Sequence, residues 1–248
     1  MFNAVYCEFL KLKGLKLPLM ILICTIIPIV IGHSISYYDN LIVLNTYFQT
    51  IVWTNWVVFI VLFSLIIDMI FANEYKNNTI KNMFSYPMSR RKLFGAKIIT
   101  SMCIIAIVYM LSLVVSLISV IIVKHRPFSV EFLFHVLGAY ITSVIGFICF
   151  VSLIVTVCIL TKRIIAPLIF SMFSVICIIY FYVFSSESGN FKWIYFLPAT
   201  SPLQLSLEIL GEEKIPMEMI YLACVGLIIS LIAGCMVSIL IFNKRDVK

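Results

Sequence analysis

Residues 73–92 read NEYKNNTIKNMFSYPMSRRK, and this polar stretch decides how the chain folds. It separates two hydrophobic runs, 51–72 and 98–123, whose only ionisable acid or base is Asp68. Within it stand Glu74, Lys76, Lys81, Arg90, Arg91 and Lys92. Each charge held in hydrocarbon costs free energy, so a stretch this polar lies outside any bilayer. The runs on either side are long and apolar enough to cross one.

Composition carries the same reading over the whole chain. Of 248 residues, 63% are hydrophobic and 12% charged, against about half and about a quarter in soluble domains. A water-soluble core of this size could not bury so much apolar surface, so the expected class is an all-α integral membrane protein. The net charge of +7 is explained by basic loops that fix topology, not by nucleic acid. Eight cysteines include no CxxC pair, and His33, His125 and His135 show no HExxH spacing, so no metal site is expected.

Hydropathy outlines six spans: 17–34, 51–72, 98–123, 132–160, 164–184 and 219–242. The first is read as a retained span, since no small-residue cleavage site follows it. Pro28 should kink it. Gly138 and Gly146 permit close packing, bending or a break in the fourth span. With six spans both termini share a side. Lys11, Lys13 and Lys16, the six bases from Lys76 to Lys97, Lys162 and Arg163, and Lys244, Arg245 and Lys248 then lie together, fourteen of eighteen. That excess marks the cytoplasmic side. Seven of eleven acids fall opposite: Asp39, Glu131, Glu187, Glu208, Glu212, Glu213 and Glu218.

Residues 1–16 place Phe2, Val5, Tyr6, Phe9 and Leu12 at helical spacing, with Glu8, Lys11 and Lys13 elsewhere around the helix. This is an interfacial amphipathic helix, or else a plain basic topology anchor. Within 73–92, Asn73 is suited to cap a new helix over 76–84 whose tip is Ile80, Met83 and Phe84. Pro87 ends it, and Ser89 can cap the next span. An exposed apolar tip suits docking of a partner better than topology alone. Asp68, near the inner end of the second span, reads either as a polar contact at the mouth of a pathway or as an interfacial acid paired with Lys or Arg. No P-loop, G-x-S-x-G or paired-ligand motif is present, so no catalytic residue is assigned, and Glu212–Glu213 reads as a solvated acidic loop.

The segment 74–97, EYKNNTIKNMFSYPMSRRKLFGAK, resembles the signature that follows the second span of ABC-2 type transporter permeases. The matching positions are Glu74, Thr79-Ile80-Lys81, Pro87, Ser89-Arg90 and Lys97. Bacitracin-resistance and lantibiotic-immunity permeases are the nearest in flavour, and Leu197-Pro198 to Pro202 is similar to the family's outer loop. The resemblance implies one transmembrane domain over 1–248 that dimerises with a second copy or paralogue in the bacterial cytoplasmic membrane. Residues 73–92 would be a cytoplasmic coupling helix seated on a separate ABC ATPase, two copies per transporter, which binds ATP and Mg. The coupling residues would be Glu74, Tyr75, Lys76, Thr79, Ile80, Lys81, Met83, Phe84, Arg90 and Arg91. Residues 185–218 would be a partly re-entrant outer segment. Spans 2 and 5 would border the pathway, making Thr54, Asn55, Ser64, Asp68, Ser171, Ser174, Tyr180 and Tyr182 its candidate lining; Ser and Thr are equally ordinary packing residues. The implied cargo is an amphipathic antimicrobial or toxin peptide, with another amphiphile, a lipid-like molecule or an ion as the alternative. A membrane-embedded enzyme would need paired acids and His at one depth, and no such set is seen.

Overall fold

A computed structural model describes residues 2–13, 17–38, 44–76, 90–124, 129–161, 165–188, 192–211 and 216–244. The helices among them are α1 (Phe2–Lys13), α2 (Leu17–Tyr38), α3 (Leu44–Lys76), α4 (Arg90–Lys124), α5 (Val130–Thr161), α6 (Ile165–Ser188), α7 (Ser201–Gly211) and α8 (Met217–Lys244), with a 3-10 turn at Lys192–Tyr195. The described residues include no strand. Runs rich in Ile and Val favour strands in water. In lipid every backbone polar group needs a partner inside its own segment or a closed barrel. A lipid-facing barrel strand alternates polar and apolar residues, and these unbroken apolar runs do not. Helix is the remaining solution.

Among the described residues, five helical segments are long and apolar enough to cross a membrane: Pro18–Ile35, Leu44–Phe71, Lys92–Ile122, Val130–Thr161 and Met217–Ile241. The sixth expected span corresponds to α6, whose shorter apolar stretch is Ile165–Phe181. The chain is a multi-pass membrane protein.

α3 is the central post. It packs against α2, α4, α5, α6 and α7, and Phe48, Ile51, Trp56, Phe59, Ile60 and Phe63 are all buried. α4 is buried on one side only; Ile107, Met110, Val114, Ile118 and Ile122 are exposed along the other, as expected of a lipid-facing stripe. The second span was expected to start at Ile51, but α3 starts at Leu44, because contacts with its neighbours extend it. Tyr47 and Phe48 are buried, and Gln49 Nε2 donates to Leu207 O at 3.0 Å. At the other end Asn73 does not cap a new helix. α3 continues through it to Lys76, and α4 begins at Arg90, eight residues before the expected span. The expected helix over 76–84 falls, beyond Lys76, outside the described residues.

Residues 192–211 form a hairpin tucked between α3, α5 and α8. Leu197 O accepts from the backbone N–H groups of Thr200 and Ser201, and Thr200 Oγ1 donates to Ile194 O at 2.6 Å. Trp56 Nε1, half-way along the apolar part of α3, donates to Ala199 O at 2.9 Å. The bend therefore reaches the mid-depth of the bundle. Two glycines admit it. A Cβ on Gly146 would overlap the Pro202 ring and crowd Trp56, and one on Gly226 would overlap the Phe196 carbonyl. α5 is thus unbroken at Gly146, which serves close packing. Pro202 falls in the first turn of α7, where no intrahelical N–H is lost.

Gly146→Ala should lower stability by about 1–3 kcal/mol, the usual range for overpacking. Gly138→Ala, whose added carbon would meet only Ile209 at 3.6 Å, should change it little. Thermal unfolding of both variants in one detergent compares them directly.

Candidate functional site

The described structure closes around both ends of the polar stretch. Lys97, on the second turn of α4, is 1% exposed. Its Nζ donates to the carbonyl of Ile70 on α3 at 2.6 Å and to Glu8 Oε2 on α1 at 3.2 Å. It also lies 5.6 Å from the centroid of the Phe71 ring, within cation–π range. Glu8, itself buried, has its other oxygen 2.7 Å from Lys11 Nζ. Phe71 and Phe94 meet edge-on with centroids 6.0 Å apart. One ammonium thus joins the N-terminal helix, the end of α3 and the start of α4.

This changes the reading of α1. The expected apolar face divides into two. Leu12 is buried and Val5 and Phe9 are half-buried, on the side that carries Glu8 toward the bundle. Phe2 and Tyr6 are exposed, and Leu10 joins them to make a second apolar stripe. Glu8 therefore belongs to the buried side, not to a polar face. The signal was present in the sequence as an acid between Val5, Phe9 and Leu12, where an unpaired charge would be costly.

The expected coupling residues distribute across this junction. Glu74, Tyr75 and Lys76 form the last residues of α3, and Arg90 and Arg91 the first of α4. Thr79, Ile80, Lys81, Met83 and Phe84 lie outside the described residues. Arg90, Arg91 and Lys92 stand at a helix N-terminus, the end whose dipole disfavours cations.

The expected pathway residues are mostly turned into the chain. Thr54 Oγ1 lies 3.1 Å from Pro28 O of α2 and 2.9 Å from Thr50 O. Ser64 and Ser171 bring α3 and α6 together at 3.1 Å, and each hydroxyl also lies 2.8 Å from a carbonyl of its own helix. Ser174 donates to Phe170 O. Asn55 Nδ2 reaches the Tyr140 hydroxyl at 3.4 Å, which in turn donates to Ser116 Oγ at 3.1 Å. Tyr180 is 54% exposed, and the Tyr182 side chain lies outside the described ones. Asp68 is buried beside the Cys158 thiol of α5. No nitrogen or hydroxyl among the described residues hydrogen-bonds its carboxyl.

A family model described as "ABC-2 family transporter protein" matches residues 4–178, from within α1 into α6. The chain belongs to the ABC-2 transporter family. A search of curated proteins gave no match. As an ABC-2 permease the chain is the membrane subunit of an ABC transporter, and its partner is an ABC ATPase subunit. The clamp of Glu8, Ile70 and Lys97 falls wholly inside the matched region; the 192–211 hairpin and α8 lie beyond it.

Removing one partner of a buried ion pair strands the other charge, at a cost of about 3–5 kcal/mol. Lys97→Met should therefore destabilise the permease strongly, while the Glu8→Gln/Lys97→Met double variant should recover most of the loss. Thermal unfolding of the wild type, Glu8→Gln, Lys97→Met and the double variant forms the cycle; a double variant as unstable as Lys97→Met would show that Glu8 is not the partner that matters.

Proposed function

We propose that this permease is one half of an ATP-driven exporter of amphipathic antimicrobial or toxin peptides in the bacterial cytoplasmic membrane. Two permease chains pair, as copies or paralogues, with two ATPase copies that bind ATP and Mg. The observation that carries the coupling part is the Lys97 junction: α1, α3 and α4 are tied at the root of residues 77–89. A force applied there by a docked ATPase enters three helices at once. Glu74, Tyr75, Lys76, Arg90 and Arg91 flank that segment, and Thr79, Ile80, Lys81, Met83 and Phe84 complete the docking surface.

Six spans are the working topology. α6 has 24 residues, about 36 Å at 1.5 Å per residue, enough to cross the hydrocarbon. Both termini are then cytoplasmic, in accord with the basic excess and with α1 lying beside the Lys97 end of α4. The hairpin enters from the opposite side as a re-entrant element. The peptide cargo is supported by the likeness of 74–97 to bacitracin-resistance and lantibiotic-immunity permeases; the few ionisable groups in the spans favour an amphipathic or lipid-like cargo over a small ion. Another amphiphile, a lipid-like molecule or an ion remains the second reading of cargo.

Glu74→Ala should weaken ATPase co-purification, and deletion of residues 76–84 should abolish it, with the permease still inserted. Retention of the ATPase by both variants would remove the coupling assignment. In the reconstituted complex, stimulation of ATP hydrolysis by amphipathic peptides supports the cargo; a response only to uncharged lipids or to ions counts against it.

A further inference from the structure

The hairpin holds a carboxylate that its surroundings answer on one side only. Glu208 lies on α7 and is 9% exposed. Its Oε1 accepts from the Tyr195 hydroxyl and from Gln204 Nε2, the latter at 3.1 Å. Its Oε2 is fully buried and meets no donor among the described residues. Two donors on one oxygen fix the direction of the group, and a buried acceptor left empty is costly. Glu8 shows the contrasting case, with an ammonium on each oxygen. Glu208 has the first half of such an arrangement, and no described residue supplies the second.

We propose that Glu208 Oε2 receives an ammonium or guanidinium group from a ligand, with Tyr195 and Gln204 holding the carboxylate in place. A divalent metal fits poorly, since the described residues contain no group of three or more His, Cys, Asp or Glu that could hold one. An ammonium needs only one strong acceptor, and its alkyl stem needs an apolar wall. Tyr195 supplies that wall, packed among Phe181, Leu205 and Leu222. Residues 185–218 contain five glutamates against two lysines, a balance that concentrates cations near the hairpin. The site is closed in this conformation, so a ligand gains it when the hairpin shifts. The inference rests on the export reading for the nature of the cargo, which it narrows to a cationic amphiphile. The ammonium has two possible sources, an amine of the cargo or the headgroup of phosphatidylethanolamine.

The test uses the full-length permease in phosphatidylcholine nanodiscs, with dodecylammonium and uncharged dodecanol as probes. Wild type should bind dodecylammonium on the order of tenfold more tightly than Glu208→Gln, the scale of one charge-assisted hydrogen bond. Dodecanol should bind both alike. Glu208→Gln keeps the side chain's shape, and Tyr195→Phe, which only loosens its support, should weaken binding by a smaller factor. Equal dodecylammonium binding by wild type and Glu208→Gln overturns the site. Added phosphatidylethanolamine that displaces the probe from wild type supports the site with a lipid occupant; no displacement supports it with a cargo amine. ATPase stimulation by a lysine-rich amphipathic peptide separates this from the export reading. Stimulation equal in wild type and Glu208→Gln, with no probe discrimination, keeps peptide export and sinks the site. Probe discrimination without stimulation keeps the site and sinks peptide export.

Discussion

A single buried ammonium sets the terms for the junction of α1, α3 and α4 in this permease. Lys97 is held by the Glu8 carboxylate, the Ile70 carbonyl and the Phe71 ring, each on an element whose neighbour in sequence leads away from the junction. Desolvating two charges offsets most of their attraction, so such a pair is a weak source of net stability. Its effect is on geometry. A buried ammonium deprived of Glu8 would be costly, whereas Glu8 without Lys97 keeps Lys11. The N-terminal helix is therefore kept against α3 and α4 by the penalty of leaving, while Phe2, Tyr6 and Leu10 on its far side face outward.

Elsewhere the bundle joins its helices by small polar contacts. In membranes an interhelical hydrogen bond contributes about 0.6 kcal/mol on average, so no one of them fixes the fold. Their distribution matters more. Ser152 and Thr156 of α5 donate to Ser230 O and Gly234 O of α8, Thr54 links α3 to α2, and Ser64 meets Ser171 on α6. Each hydroxyl also stands within reach of a carbonyl one turn back in its own helix. Such a group can leave its neighbour without being orphaned, which lets helices slide at low cost. At the Lys97 junction Glu8 keeps Lys11 on its own helix, while Lys97 is bound to α1 and α3 at once. The chain thus combines one contact that resists separation with many that tolerate shear.

The broad architecture was legible because lipid leaves few options: apolar runs, a charged interruption and a proline-marked segment translate almost directly into helices, a boundary and a hairpin. Pro198 and Pro202 announced a break, and α7 begins at Ser201. What periodicity cannot supply is the identity of a neighbour. Glu8 and Lys97 are 89 positions apart, and the same spacing that put Glu8 off the apolar face is compatible with water, headgroup or a buried partner. The hydroxyls at Thr54, Ser64, Ser171 and Ser174 were equally open, because a serine facing a pathway and one donating to its own helix have the same sequence. Glu208 was read as one acid among several in an outer loop. Only the fold shows that its residue is buried and that one of its oxygens has partners.

α3 is the element on which both ends depend. Its Ile70 carbonyl receives Lys97, and its Gln49 and Trp56 donate to the hairpin at Leu207 and Ala199. From residue 49 to residue 70 an unbroken helix spans about 31 Å. It contains no proline in that interval, and proline is the commonest source of a sharp kink. A displacement of α3 at the Lys97 junction therefore arrives at the hairpin as a translation or rotation, not as a bend absorbed on the way. The hairpin in turn has little room to take it up in place, since Gly146 and Gly226 already hold it at backbone contact with α5 and α8. Movement at one end must shear the hairpin against those helices at the other. That is a physical route from the Lys97 junction to the hairpin, and it runs through one helix.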